Sequence, residues 1–463
     1  MPELSAASSP SVPRLPIDAE WKAQQRLWGH AFHPMCSYLA SFPAALAHAF
    51  IARYSRPGDV VLDPFSGRGT TALQACAEGR YGVGNDLNPF AHLLTAAKVE
   101  PATRAEARTR LTALRLAWGA EAEAWSALGV AVVEAARAGD ATRGESAGPP
   151  VPAAGSGRGP ETGDEAVPAE VALAFHPRTL GQLLATRSAL RLDERVDRFL
   201  AAALTGILHG KSASYLSEVM PNTFSMAPRY VRDFVERSGF RSPERDVFDG
   251  LGLKLGRVFR HGLPSAPGVA LLGDARDVGS RTRAALRERA LPDRARLVLT
   301  SPPYLRVVKY GYYNWLRAWL CGFDPRTIDE ALDDAHRRAP YLAFMGEVLA
   351  ALRPALTDDA VVVLVVGDVE TDRGRPIADG IGLAEAVWEE AAEPSGYQLA
   401  GVALDDVHPV RKMTKLWGDE AGRATKLDRI LVLGASPAGR RRALAGASLP
   451  VDWRWPPKGL RVV

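Results

Sequence analysis

The sequence predicts an α/β fold in which one open sheet is interrupted by a large helical insertion. Three observations carry this. Short apolar runs alternate with helical periodicity near both ends of the chain. A glycine-rich turn joins the first such run to the first helix. A stretch of more than 150 residues after the second strand shows helical rather than strand periodicity.

The elements follow in order. Val60–Asp63 is an apolar run that ends in an acid and is followed by Pro64. Thr70–Ala77 reads as a helix, with Gly79 just past its end. Residues 81–85 read as a second strand. Leu111, Trp118, Trp125 and Val132 then recur at heptad spacing, with Leu114 and Leu128 on the same side, so this stretch reads as an amphipathic helix. Residues 139–168 are dominated by Gly, Pro, Ala and charge, and are expected to form a flexible, disordered loop. Helical periodicity returns over 179–209. Val269–Leu272, residues 297–300 and residues 361–366 read as three further strands, and 398–405 with 429–433 as a final antiparallel pair. The expected division is 1–100 for the first part of the sheet domain, 101–265 for the insertion, 266–436 for the second part and 437–463 for a C-terminal tail.

Composition narrows the class. Hydrophobic residues make up 47% and charged residues 24%, as in an ordinary globular protein. No apolar run is long enough to span a bilayer, and residues 1–16 lack the basic start and apolar stretch of a signal peptide. Cys36, Cys76 and Cys321 are far apart and form no CxxC pair, so neither a metal site nor a disulfide framework is expected and a reducing cytoplasm fits. The net charge of +4 is compatible with a nucleic-acid partner without requiring one.

Asp63-Pro64-Phe65-Ser66-Gly67-Arg68-Gly69-Thr70-Thr71 lies between the first strand and the first helix, where glycines let backbone approach a ligand closely. A Walker loop would need a Lys after Gly69, and a dinucleotide loop would end in Gly where this chain has Ala72, a position that tolerates Ala. The third option is a nucleoside without a pyrophosphate. Asp86 ends the second strand, where a carboxylate can accept both ribose hydroxyls.

These residues resemble the DPFxGSGTT loop of the bacterial DNA amino-methyltransferases (cytosine-N4 or adenine-N6 specific), with Arg68 in place of the usual Ser. Asn85-Asp86-Leu87-Asn88-Pro89 is similar to the family's ribose-binding turn. His33-Pro34, with Phe42-Pro43 after it, resembles the segment that closes over the methionine end of the cofactor. Gly273-Asp274-Ala275 resembles the motif whose Asp meets the adenine amino group. The resemblance implies a Rossmann-like S-adenosylmethionine-dependent methyltransferase sheet. His33, Asp63, Pro64, Phe65, Gly67, Gly69, Thr70, Asp86 and Asp274 would bind S-adenosyl-L-methionine, and no metal is implied.

Ser301-Pro302-Pro303-Tyr304 follows an apolar strand directly. Adjacent prolines can continue neither a ladder nor a helix, so they hold a rigid loop at the carboxyl edge of the sheet, where such folds bind ligands. An exocyclic amino group is a poor nucleophile, because its lone pair is delocalised into the ring. Ser301 Oγ and the Pro302 carbonyl could accept its two hydrogens, and Tyr304 offers a face for an extracted base. The segment resembles the (D/N/S)PPY motif, in which Ser at the first position is more typical of cytosine-N4 enzymes. That resemblance implies Ser301, Pro302, Pro303 and Tyr304 as catalytic residues, DNA as substrate, and a restriction or defence-system partner. Adenine-N6 methylation and RNA base methylation are the alternatives. No Cys follows a Pro, which argues against carbon-5 chemistry.

Three segments are candidates for substrate contact. Residues 309–317 interleave Tyr310, Tyr312, Tyr313 and Trp315 with Lys309 and Arg317. Residues 408–426 carry Arg411, Lys412, Lys415 and Lys426. Residues 209–232 are too irregular for simple helix or strand, resemble a stretch found in a subset of bacterial DNA methylases, and are expected to face the cleft. The insertion as a whole is the expected target-recognition element.

Overall fold

The computed structural model describes residues 12–25, 27–39, 41–138, 146–161, 163–220, 225–303, 309–332, 337–367, 382–406 and 427–456. In chain order the strands are β1 (Val60–Asp63), β2 (Tyr81–Asp86), β3 (Ser146–Val151), β4 (Glu165–Pro168), β5 (Val269–Leu272), β6 (Ala295–Thr300), β7 (Leu356–Gly367), β8 (Gln398–Asp406) and β9 (Leu427–Gly434). Seven of them form one sheet in the order β5-β2-β1-β6-β7-β9-β8. The first five are parallel, and β9 runs antiparallel between β7 and β8. This is the Rossmann-like arrangement expected of the sequence, and each expected strand is present.

The strand order reverses between β1 and β6. From β1 the chain moves outward to β2 and β5; from β6 it moves the other way to β7. Loops leaving the carboxyl ends of β1 and β6 therefore diverge and leave a crevice, the usual ligand site of an open parallel sheet. The glycine loop follows β1 and the Ser301 segment follows β6.

The central strands are apolar without interruption because both faces are covered. Alternate residues feed two different cores. Val61, Leu297, Leu299 and Val363 pack with Leu46 and Phe50 of the helix Ala44–Tyr54 (α1). Leu62, Val298 and Val362 pack on the opposite face with Val278 and Leu349. At the β8 edge, residues 13–15 cover open backbone: Leu15 N–H donates to Val402 O and Val402 N–H to Pro13 O, both at 2.9 Å.

The helices that follow α1 are α2 (Thr70–Ala77), α3 (Pro89–Val99), α4 (Arg104–Ala120), α5 (Ala122–Ala138), α6 (Ala169–Ala174), α7 (Pro177–Ala189), α8 (Arg195–Thr205), α9 (Pro228–Ser238), α10 (Val247–Val258), α11 (Val278–Glu288), α12 (Tyr310–Tyr313), α13 (Trp315–Leu320), α14 (Pro325–Ala331), α15 (Arg338–Leu352), α16 (Leu383–Ala386) and α17 (Pro437–Ala447). The insertion is helical, as expected, with two differences. The heptad stretch is two helices, broken at Glu121, not one. α4 opens with a Thr103–Glu106 capping box and packs on α8 and α10; after the break α5 turns onto α7, so one apolar register serves two sets of partners. The stretch expected to be a flexible loop contains the β3–β4 hairpin. Val151 and Val167 are fully buried there, and Glu165 is held by the buried Arg187. A tally of Gly, Pro and charge does not register two well-placed valines and one ion pair. The expected tail contains α17, which packs on β7, β8 and β9. No described helix is long and apolar enough to cross a membrane.

α5 and α7 pack backbone to backbone. A Cβ at Gly129 would lie 2.3 Å from Pro177 O, and one at Gly181 would lie 2.5 Å from Trp125 O. Gly181→Ala is therefore expected to lower unfolding free energy by ~1–3 kcal/mol. Gly119→Ala, on α4 with open space around it, should be neutral or stabilising by ~0.4–1 kcal/mol. Urea melts of the two variants check the contrast.

Candidate functional site

The glycine loop is gripped from behind by α3. Gly67 and Gly69 have φ of +50° and +76°. A Cβ at Gly69 would lie 2.8 Å from Thr95 Oγ1, so only glycine fits. Thr95 Oγ1 donates to Gly67 O at 3.2 Å and lies 3.1 Å from Ser66 Oγ. One turn on, the fully buried Lys98 donates to Arg68 O, and burial pushes its ammonium pKa well down. Sequence reasoning missed both residues. Their signal was a Thr and a Lys three residues apart on an otherwise apolar helix.

Two carboxylates flank the loop, Asp63 buried and Asp86 half-buried. Asp86 Oδ2 accepts from Gly67 N–H at 2.7 Å, and Oδ1 from Asn88 N–H at 2.9 Å. Asp63 Oδ1 accepts from Thr300 Oγ1 at 2.6 Å and from Phe65 N–H at 3.1 Å. Burial raises both pKa values, Asp63 to about 7 and Asp86 to about 6, and the hydrogen bonds oppose the rise. Among the described residues no ion pair reaches either carboxylate. Asn85, to which the sequence assigned no role of its own, ties two loops to α11: its Nδ2 donates to Pro64 O and Gly273 O at 3.1 and 2.9 Å, and its Oδ1 accepts from Arg281 at 3.0 Å. Thr70 begins α2 and is buried. The Phe65 ring meets Phe344 at 5.8 Å.

His33 sits against α2. Its Nε2 lies 2.8 Å from Gln74 Oε1, and Gln74 Nε2 donates to Glu78 Oε1 at 2.6 Å. The second bond fixes the Gln74 amide, so Gln74 Oε1 must accept and His33 Nε2 must carry the proton. His33 Nδ1 is then a buried acceptor with no hydrogen-bond partner. Burial holds the ring pKa well below its ordinary value, so it is neutral. Tyr38, in the same segment, lies over the loop: a Cβ at Gly67 would be 3.6 Å from its ring. Its hydroxyl accepts from Asn88 Nδ2 at 3.1 Å, and its ring stacks on Tyr310 at 5.8 Å.

Asp274 reaches the same sheet edge, where Gly273 N–H donates to Asp86 O at 2.9 Å. Asp274 caps the turn that follows and is held in a fork by Arg276 Nε and Nη2, the latter at 2.6 Å, which keeps its carboxyl below the usual range. At the end of β6, Ser301 Oγ donates to Val365 O at 3.2 Å. Pro302 is buried and Pro303 half-buried. Tyr304 lies outside the described residues, as does the basic segment 408–426. In the aromatic segment Trp315 and Arg317 are buried structural residues, with Arg317 donating to Thr205 O and Asn314 Oδ1. Lys309 and Tyr312 are exposed. Among the described residues no group of His, Cys, Asp or Glu is placed to hold a metal ion, and the three cysteines are buried and unpaired.

Residues 16–97 match a family model described as a DNA methylase. This region is similar to the DNA amino-methyltransferases. The chain is similar to the Type II methyltransferases M.MjaII of Methanocaldococcus jannaschii (35% identical over 71 residues, 15% of this chain and 13% of that protein) and M.Cfr9I of Citrobacter freundii (36% over 70 residues, 15% and 23%). It is likewise similar to M.MthZI of Methanothermobacter thermautotrophicus, at 47% over 49 residues, 11% of this chain and 14% of that protein. The matched stretches thus span less than a quarter of each relative. Solved structures of TrmN from Thermus thermophilus and of the rRNA methyltransferase aviRa from Streptomyces viridochromogenes align at 12% identity and TM-scores of 0.29, covering 87% and 89% of this chain and 52% and 92% of theirs. The family's cofactor is S-adenosylmethionine, and the cradle fits it. Two unpaired carboxylates and a neutral imidazole acceptor suit hydroxyls, an ammonium and a sulfonium.

The raised Asp63 pKa has a sign that can be checked. The folded state binds this proton more tightly than the unfolded state, so its stabilising contribution is complete below about pH 4. It is lost as pH rises through about 7. Asp63→Asn is expected to abolish that part of the decline, worth up to ~4 kcal/mol, so the variant gains on wild type between about pH 4 and pH 7. Denaturant melts of the cofactor-free proteins across that range measure the difference.

Proposed function

We propose that this chain is an S-adenosylmethionine-dependent DNA methyltransferase acting on the exocyclic amino group of a base, with cytosine N4 the favoured target. The observation that carries the reading is the position and bonding of Ser301. It leaves β6 beside the strand that bears the glycine loop, and it donates its one hydroxyl proton to Val365 O. Its lone pairs remain free to accept from an amino group. The Pro302 carbonyl is the second acceptor, held by two adjacent prolines. Together they draw the amino lone pair out of the ring and aim it at the methyl donor. Tyr304 is assigned the stacking face from its place in the motif.

When bound, S-adenosylmethionine supplies an activated methyl group for direct displacement, and no covalent link to the protein is needed. The Gly67 and Gly69 backbone, Asp63, Pro64, Phe65 and Thr70 form the methionine end of the cradle, with His33 Nδ1 accepting from the ammonium. Asp86 holds the ribose hydroxyls; its bonds to Gly67 and Asn88 fix the carboxylate before the ligand arrives. Asp274 keeps acceptor capacity beyond what Arg276 uses, so it can meet the adenine amino group without breaking that fork. Most of the acceleration comes from alignment of the two reactants.

Cytosine is favoured over adenine by Ser at position 301, and DNA over RNA by the relatives. A restriction or defence-system partner and a cytoplasmic location accord with their Type II names. Nucleosides from DNA of an expressing host should contain N4-methylcytosine by mass spectrometry. N6-methyladenine instead would keep the chemistry and change the base, and methylated RNA with unmodified DNA would overturn the substrate. Ser301→Ala is expected to lower kcat about a hundredfold while the cofactor Kd stays within about twofold. Unchanged turnover would remove Ser301 from the mechanism.

A further inference from the structure

The irregular segment that begins at His209 is built tightly. The chain doubles back after α8: Leu216 N–H donates to Ile207 O at 2.9 Å, and Gly210 N–H to Ser217 O at 3.0 Å. Gly210 packs closely there, since a Cβ would lie 2.5 Å from the Tyr215 ring. This reversal brings two separate points of the chain to one imidazole. His209 Nδ1 lies 3.3 Å from Met220 O, and Ser225 Oγ lies 3.4 Å from His209 Nε2. A carbonyl can only accept, so Nδ1 carries the proton and Nε2 accepts from the serine hydroxyl. His209, Met220 and Ser225 are all buried, at 2%, 0% and 0% exposure.

What the imidazole fixes is attached in turn to α12 and to the start of α13. Ser225 N–H donates to Tyr313 O at 3.0 Å, and Trp315 Nε1 donates to Met226 O at 2.6 Å. α12 begins a few residues beyond Pro303 and is held from two other sides. Asp329 accepts from Gly311 N–H at 2.7 Å and Tyr312 N–H at 3.0 Å. Tyr310 stacks on Tyr38, which covers Gly67. A four-residue helix has almost no stability of its own, so these attachments set its position. Exposed on it and at its N-cap are Tyr312 and Lys309, an aromatic ring and a cation.

We propose that α12 is a contact surface for the DNA strand that carries the target base, with Tyr312 stacking and Lys309 meeting phosphate. His209 is the positioning residue that lets the insertion hold it there. The inference rests on the reading of the chain as a DNA methyltransferase. It gives the insertion a defined route to substrate binding that does not pass through the cofactor.

The test uses the full chain, tritiated S-adenosylmethionine and unmethylated bacteriophage DNA. His209→Leu removes the bonds to Met220 O and Ser225 Oγ and should raise the KM for DNA about tenfold, with kcat and the cofactor Kd within about twofold. His209→Gln can donate and accept, and should recover most of the loss. Tyr312→Ala should raise KM similarly, and the double variant with His209→Leu should be no worse than the poorer single one. Trp315→Phe, which removes only the Nε1 donor, gives the same readout if His209→Leu does not fold. A DNA KM within twofold of wild type in His209→Leu or Trp315→Phe, or strictly additive losses in the double variant, would overturn the proposal. A wild-type chain that methylates no DNA fails at the earlier step, and so distinguishes the two readings.

Discussion

The site depends on one buried hydrogen bond, from Thr300 Oγ1 to Asp63 Oδ1 at 2.6 Å. Its two residues are the last of β6 and β1, neighbours at the point where strand order reverses. Parallel pairing alone would place these strand ends side by side. The hydrogen bond adds register and direction, because Asp63 also takes the Phe65 amide and so sets the first turn of the glycine loop. The glycine loop and the loop that bears Ser301 thus start from a shared contact. Desolvation makes a lone buried carboxylate expensive, and the Thr300 and backbone donors offset part of that cost. Both flanking acids are held this way, so the polarity of the cradle is stored in the fold before any ligand binds.

The sheet was legible because its strands are covered on both faces. A run such as Val361 to Val366 can be little other than a buried strand once the flanking turns are read. Asp63, Asp86, the two loop glycines and Ser301 were legible because motif order fixed them at strand ends. Residues that act from the side were not. Thr95 and Lys98 meet the loop from a helix that sequence treats as filler, and Tyr38 reaches it from a segment with no regular structure. Asn85 looks like a strand residue and works as a three-way tie. The break at Glu121 was hidden because the heptad continues through it, and the β3–β4 hairpin because pairing and two buried valines outweigh composition.

The insertion is not a separate module hung from a loop. One continuous apolar cluster joins its Phe199, Leu204 and Phe259 to Phe32 and Met35 ahead of the glycine loop, to Phe90 of α3, and to Trp315 and Leu316 beyond the Ser301 loop. The C-terminal end of α8 is the shared seat. Arg317 donates to Thr205 O there, and Lys254 donates to Pro34 O; burial lowers the Lys254 pKa to about 8. Gly206 allows the approach, since a Cβ would lie 1.9 Å from Met35 O. Cations at a helix C-terminus interact favourably with its dipole, which accounts for two basic side chains in an apolar setting. The same contacts mean that a shift of the insertion would move the His33 segment and α13 together.

The bond from Ser301 to Val365 O bears on the choice of target base. A residue at this position faces a backbone carbonyl from β7, and in the proposed reaction it must also accept from an amino group. Serine does both, with one donor and two lone pairs. Asparagine could do both through its amide. An ionised aspartate could not, because it would set a carboxylate against the Val365 carbonyl with no proton between them. The backbone of β7 therefore discriminates within the (D/N/S)PPY set independently of the substrate. Ser301 reflects the local register of β6 on β7 as well as the base it serves, so its identity bears on amino methylation as such more directly than on cytosine.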